Sequence, residues 1–170
     1  MIESSIILAF QRMLSSSIGM ALVGFCARWV IYLYIPFALV ARRSLDMRHA
    51  VYESSWTALL AFSLSSLLAS LIGRVRPFLD VPGVVSFVPP NIQAGSFPSS
   101  HTAIAIGVAT ALAYHNVPLG VAAFLMAILV AFGRVAAGMH YPSDVLGGAL
   151  VGILSFIIVR VIHHGLERVG

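Results

Sequence analysis

Three short polar clusters stand in an otherwise apolar chain of 170 residues, and their side chains are those of phosphoryl transfer. One is Gly73-Arg74-Val75-Arg76-Pro77, the next Phe97-Pro98-Ser99-Ser100-His101, and the last runs from Arg134 through His140 to Asp144. Arginine forks hold phosphate oxygens two at a time. A helix opening at Pro98-Ser99-Ser100-His101 would aim unpaired backbone N–H groups at an anion, with two serine hydroxyls beside them. One histidine can attack phosphorus while a second protonates the departing oxygen. The attacking imidazole must be neutral at one nitrogen with the other held by a partner, and Asp144, four residues after His140, could accept that hydrogen bond. Because Pro142 lies between the two, a turn entering a helix serves as well as a continuous helix. This set calls for no metal and no cofactor.

Taken singly, each residue has a plainer reading. An arginine at the end of a membrane span is often an anchor that snorkels to the interface. A lone histidine at a helix start is more often structural or solvated than catalytic. The inference rests on the clusters occurring together, so the elements that would gather them matter.

The chain is 59% hydrophobic and only 9% charged, against about 25% charged in an ordinary soluble domain. Its 10 basic and 6 acidic side chains do not make a nucleic-acid surface, and every one of the basic residues is arginine. The single cysteine, Cys26, leaves no intramolecular disulfide to expect. No cleavable signal peptide is expected, since Glu3, Gln11 and Arg12 interrupt the first residues.

Apolar stretches of about 20 residues cross a bilayer as helices. Five are expected: Gly19 to Ala41, Val51 to Ile72, a short one from Ser100 to Tyr114, Pro118 to Ala136, and Asp144 to Ile162. Residues 1–14 carry Ile6, Ile7, Phe10 and Leu14 at helical spacing, which predicts an amphipathic helix lying in the interface. The fold class is therefore all-α: one membrane-embedded domain over residues 1–170, an integral bundle of about five transmembrane helices plus the interfacial helix. The long connection 73–98, rich in proline, is expected to be an active-site loop on the outer face.

Threaded this way, all three polar clusters reach one membrane surface. Arg42, Arg43, Arg48, Arg160 and Arg168 collect at the other, with His163 and His164, and the positive-inside rule makes that side cytoplasmic. A multi-pass protein of the plasma (inner) membrane follows, with its site on the periplasmic or extracellular side. The middles of the spans are almost free of charge, Arg28 apart.

These residues resemble the type 2 phosphatidic acid phosphatase superfamily, whose pattern is K-x6-R-P, then P-S-G-H, then S-R-x5-H-x3-D. Arg76-Pro77 matches the end of the first part, Pro98-Ser99-Ser100-His101 the second, and Arg134, His140 and Asp144 the third with unbroken spacing. The resemblance implies that His140 forms a phosphohistidine, Asp144 orients it, and His101 protonates the leaving oxygen. It also implies that Arg76, Arg134, Ser99 and the amide of Ser100 hold the phosphoryl group. Three positions depart from the pattern: Ala69 stands where the family has lysine, Ser100 where it has glycine and Gly133 where it has serine. Arg74 is the expected substitute for the lysine.

The family acts on phosphatidic acid, phosphatidylglycerol phosphate, lipid A phosphates and polyprenyl phosphates or diphosphates. The small size and the Arg-Pro-Phe and Ser-Phe-Pro-Ser contexts resemble bacterial undecaprenyl diphosphate phosphatases. The expected partners are the bilayer and a lipid phosphate or diphosphate, with selectivity residues between Leu79 and Phe97. Two other classes compete. A transporter relay would place its ionisable groups midway along the spans, whereas these lie at one end. A metal-dependent hydrolase could use His101, His140 and Asp144 as ligands, but the surrounding arginines would repel a cation.

Overall fold

A computed structural model describes residues 2–44, 47–89 and 95–167. Eight α-helices follow one another among them: α1 (Ile2–Met13), α2 (Ser17–Arg28), α3 (Tyr34–Ser44), α4 (Arg48–Ile72), α5 (Pro77–Asp80), α6 (Ser100–His115), α7 (Val117–Ala136) and α8 (Pro142–Glu167). A short 3-10 turn, Val30–Leu33, joins α2 to α3. The described residues form no strand. The expected Arg168 and the stretch 90–94 of the expected selectivity segment lie outside the described residues.

Helices α4, α7 and α8 are each long and apolar enough to cross a membrane. The first expected span, Gly19 to Ala41, is not one continuous helix. It breaks after Arg28 and resumes as the pair α2 and α3, bent by 50°. Three β-branched or aromatic residues in a row, Trp29-Val30-Ile31, lie at the break, where χ1 freedom is lost against the preceding turn. Helix α6 has 16 residues, about 24 Å at 1.5 Å per residue, short of a full bilayer core. Its position explains how it serves, since it packs against α4, α7 and α8 and sits at the middle of the bundle.

The packing is that of a bundle in lipid. The buried residues are mostly small, with Ala103, Ala105, Ala109 and Ala111 on α6 and Ala123 and Ala127 on α7. The large apolar side chains face outward, among them Leu59 and Phe62 on α4, Leu125 and Ile128 on α7, and Leu150 and Leu154 on α8. Where lipid solvates Leu as well as a core does, close approach of small residues drives association. Gly148 and Gly152 of α8 show this contact. A Cβ at Gly148 would stand 2.5 Å from the Ser99 carbonyl oxygen, and one at Gly152 would stand 2.4 Å from that of Ala103.

Local signals set the ends. The Ser16 side chain accepts from the Gly19 amide at the start of α2. Asn116 does the same for Leu119 at the start of α7, 3.0 Å away. Helix α1 is fastened to the end of the bundle that carries the three polar clusters: Gln11 Nε2 donates to the Val85 carbonyl at 2.7 Å and its Oε1 accepts from the Val85 amide at 3.1 Å.

Candidate active site

The three polar clusters converge. A cavity of about 490 Å³ is lined by Arg76, Ser100, His101, Arg134, Met139 and His140, with Arg28, Tyr32, Phe62 and Ser66 completing its wall. Helix α4 ends at Gly73 and delivers Arg76 at the start of α5. The first turn of α6 delivers Ser100 and His101. The last turn of α7 delivers Arg134, and the tight connection to α8 delivers His140.

His140 is buried, and its two ring nitrogens have different partners. Nδ1 lies 2.7 Å from the Ser96 carbonyl oxygen. A carbonyl can only accept, so Nδ1 carries the proton and Nε2 carries the lone pair. Two guanidiniums face that lone pair, Arg134 Nη2 at 3.1 Å and Arg76 Nη1 at 3.3 Å. Burial drives the His140 pKa down to about 4; Asp144 opposes this and the two arginines reinforce it. The imidazole is thus neutral and oriented, with its unprotonated nitrogen against two cations.

Asp144 stands close by, but not as the spacing alone implied. Its Oδ2 is 3.7 Å from His140 Nδ1, beyond hydrogen-bond length, and accepts from the Tyr141 amide at 2.8 Å. Oδ1 accepts from Arg74 Nη1 at 2.6 Å. The Ser96 carbonyl is the acceptor nearest His140, and Asp144 acts on it through its charge. No side-chain motif announces a backbone carbonyl, so Ser96 was not legible in the sequence.

Arg74 is not among the residues lining the cavity. Besides Asp144 it donates to Ser143 Oγ at 2.7 Å and to Glu3 Oε2 at 3.0 Å, and its guanidinium lies 4.1 Å from the centre of the Tyr141 ring. Glu3 of α1 accepts from the Ser143 amide at 2.7 Å as well. Burial alone would raise the Glu3 carboxyl, but its bonds to Ser143 and Arg74 hold it below the usual range. Ser99 is also off the cavity. It is fully buried, and its hydroxyl accepts from Thr102 Oγ1 at 3.1 Å.

The cavity walls are unbalanced in charge. Among the described residues no carboxylate hydrogen-bonds to Arg76 or Arg134, and the buried Nε of each has no partner. Buried donors without acceptors are costly, and an anion with several oxygens, such as a phosphoryl group, would satisfy them.

Residues 50–168 match the PAP2 superfamily. The chain belongs to that superfamily. It is a multi-pass membrane protein and a lipid phosphatase. It is 30% identical to undecaprenyl-diphosphatase BcrC of Bacillus subtilis over 77% of this chain and 67% of that protein. It is 31% identical to phosphatidylglycerophosphatase B of Bacillus subtilis over 69% of this chain and 63% of that protein. Its fold is similar to the crystal structure of Aquifex aeolicus LpxE, with a TM-score of 0.71 and 25% identity over 89% of this chain and 92% of that one. The chain thus spans about two thirds of the length of such curated relatives.

Proposed function

We propose that the protein hydrolyses undecaprenyl diphosphate to undecaprenyl phosphate through a phosphohistidine on His140. The observation that carries the mechanism is the Nε2 lone pair of a neutral, buried histidine set between two guanidiniums that no carboxylate hydrogen-bonds among the described residues. The terminal phosphoryl group takes the place of those two contacts, its oxygens receiving the N–H donors of Arg76 and Arg134. Nε2 attacks phosphorus. The bond from phosphorus to the bridging oxygen breaks, and His101 gives its proton to that oxygen. Water, deprotonated by His101, then attacks the phosphohistidine, the P–N bond breaks, and inorganic phosphate leaves. Asp144 and the Ser96 carbonyl stabilise the positive charge that His140 gains during attack. Ser100 and the first amides of α6 add donors to the phosphoryl oxygens.

Two observations support a lipid substrate reached from the outer leaflet. Large apolar side chains cover the outside of the bundle, and Phe62 and Tyr32 border the cavity. Arg42, Arg48 and the Arg160–Glu53 pair lie at the opposite end from His140, which the positive-inside rule assigns to the cytoplasm. Helix α1 then rests in the outer interface. The choice of diphosphate draws on the relative named undecaprenyl-diphosphatase. The relative named phosphatidylglycerophosphatase favours a lipid monoester as the second reading.

Phosphate release by the purified protein from undecaprenyl diphosphate, phosphatidylglycerol phosphate, phosphatidic acid and lipid A tests this. The highest kcat/KM is expected on the diphosphate. A monoester turned over about tenfold better would overturn the substrate.

A further inference from the structure

Arg28 lines the same cavity as His101, Arg134 and His140, yet it belongs to none of the three polar clusters. It lies in the last turn of α2, immediately before the 50° bend. The unpaired carbonyls of a helix end favour a cation there. Its neighbours on the cavity are committed: Arg76 and Arg134 both reach His140 Nε2. Arg28 is exposed, and among the described residues its guanidinium meets only the Trp29 ring, 5.4 Å away. An arginine that faces an anion cavity with its N–H donors unspent is placed for a second anionic group.

Two departures from the family pattern fit this placement together. Gly133 stands where the family has serine, and a Cβ there would lie 2.5 Å from the Ala27 nitrogen and 2.7 Å from the Cys26 carbonyl carbon. Only glycine lets the end of α2 close on α7 this tightly. Arg134 Nη1 then donates to the Ala27 carbonyl at 3.3 Å, tying the residue before Arg28 to the site. Ala69 stands where the family has lysine, and it is buried on α4 beneath Gly95, whose Cβ would lie 2.6 Å from the Ala69 carbonyl oxygen. The positive charge absent from α4 reappears on α2, and the glycine makes room for it.

We propose that Arg28 binds the inner phosphate of a lipid diphosphate, the one that leaves with the lipid, and thereby sets a preference for diphosphates over monoesters. This rests on His140 as the nucleophile and on a lipid phosphate as substrate. As the bridging P–O bond breaks, the inner phosphate gains negative charge, and the Arg28 N–H donors stabilise it while His101 supplies the proton. In a monoester the leaving oxygen belongs to an alcohol, and Arg28 has no anion to hold.

Farnesyl diphosphate and farnesyl monophosphate share a tail and differ only in the inner phosphate, so they isolate the effect. Arg28→Gln should lower kcat/KM on the diphosphate by about tenfold or more and leave the monophosphate within about threefold, with Arg28→Lys restoring part of the loss. Equal losses on both substrates would place Arg28 on the transferred phosphoryl group and overturn the proposal, as would no loss on either. A second measurement separates this from the substrate reading: inhibition of farnesyl monophosphate turnover by pyrophosphate and by phosphate. Arg28→Gln should weaken pyrophosphate alone. If the wild type turns over only monoesters, the diphosphatase reading fails, but weakened pyrophosphate inhibition still upholds the Arg28 subsite. Unchanged pyrophosphate inhibition, or a wild type that binds phosphate as well as pyrophosphate, overturns it.

Discussion

The bundle buries a carboxylate near each end, and the two ends have the same kinds of neighbours. At the end that carries the cavity, Asp144 is fully buried and meets Arg74 and the Tyr141 amide, with His140 3.7 Å away. At the other end, Glu53 is fully buried and meets Arg160 at 2.7 Å, His163 at 2.7 Å and His115 at 2.8 Å. Both carboxylates join helices that are distant in sequence. The difference lies in what the charge leaves over. Glu53 sits at the centre of its cluster and its oxygens are shared among three cationic or imidazole groups, so the charge of Arg160 is met by a carboxylate at 2.7 Å even though its Nε has no partner. Asp144 is not among the residues lining the cavity and hydrogen-bonds Arg74, so Arg76 and Arg134 line the cavity beside the His140 lone pair with no carboxylate hydrogen-bonded to either among the described residues. A buried ion cluster ties helices together; an unbalanced one beside a cavity binds an anion.

Matched substitutions at the two ends would break or sharpen this contrast. The largest effect is expected from His140→Ala, which removes the proposed attacking nitrogen and should reduce phosphate release by about 10⁴-fold or more. His115→Ala, at the other end, should leave turnover per folded molecule unchanged. Comparable losses from both, with both proteins monodisperse in detergent, would mean that the contrast is false.

His101→Ala comes next. General-acid help is worth about 10²- to 10⁴-fold, and its value depends on the leaving group. Turnover of an alkyl phosphate should fall by that order, whereas a phenolate ester, which leaves without a proton, should lose far less. Equal losses on both esters would remove His101 from the acid role.

The carboxylates themselves give a smaller and more pointed pair. Asp144→Asn should cost about 10²-fold in kcat, less than loss of the nucleophile, because the Ser96 carbonyl still fixes the His140 tautomer. Glu53→Gln should leave kcat near wild type but destabilise the fold by up to about 3–5 kcal/mol, since it strands the partners of a buried charge. Thermal melting in detergent and kcat measured on the same samples would separate the two. A Glu53→Gln protein with full stability would show that the second cluster does not hold the helices.

How far the sequence reached follows the same division. The convergence of His101, His140, Arg76 and Arg134 on one cavity was legible because phosphoryl transfer would call for those residue types and topology brings them to one surface. The bundle was legible because lipid demands long apolar helices. The bend after Arg28 was not, since an unbroken apolar run reads as one span whether or not the helix breaks inside it. Arg74 illustrates a different limit. The sequence holds no lysine and offered Arg74 as the candidate substitute for the family's, but only packing shows that Arg74 is spent on Glu3, Ser143 and Asp144. The usable signal was already present in Arg28, a charge in the middle of a span, where a charge is costly and needs a reason.

The smallest effect concerns protonation rather than rate. In the free protein the His140 pKa is pushed down to about 4, mainly by burial. A histidine whose folded pKa is depressed remains neutral as pH falls past the ordinary value near 6.5 and gains its proton only near the folded value. Nitrogen-15 spectra of histidine-labelled protein should therefore include an imidazole that keeps its neutral pattern at pH 5, with the proton on Nδ1 as the Ser96 carbonyl requires. The assignment to His140 is checked by its absence in His140→Ala. Asp144→Asn removes the one neighbour that favours the charged form, so this residue should then titrate at still lower pH, whereas Glu53→Gln should leave it unmoved. A His140 that carries its proton on Nε2 would mean that the resting site holds no free lone pair toward Arg76 and Arg134, and one that titrates near 6.5 would mean that burial and the two guanidiniums do not act on it; either way the contrast between the two ends would lose its chemical content.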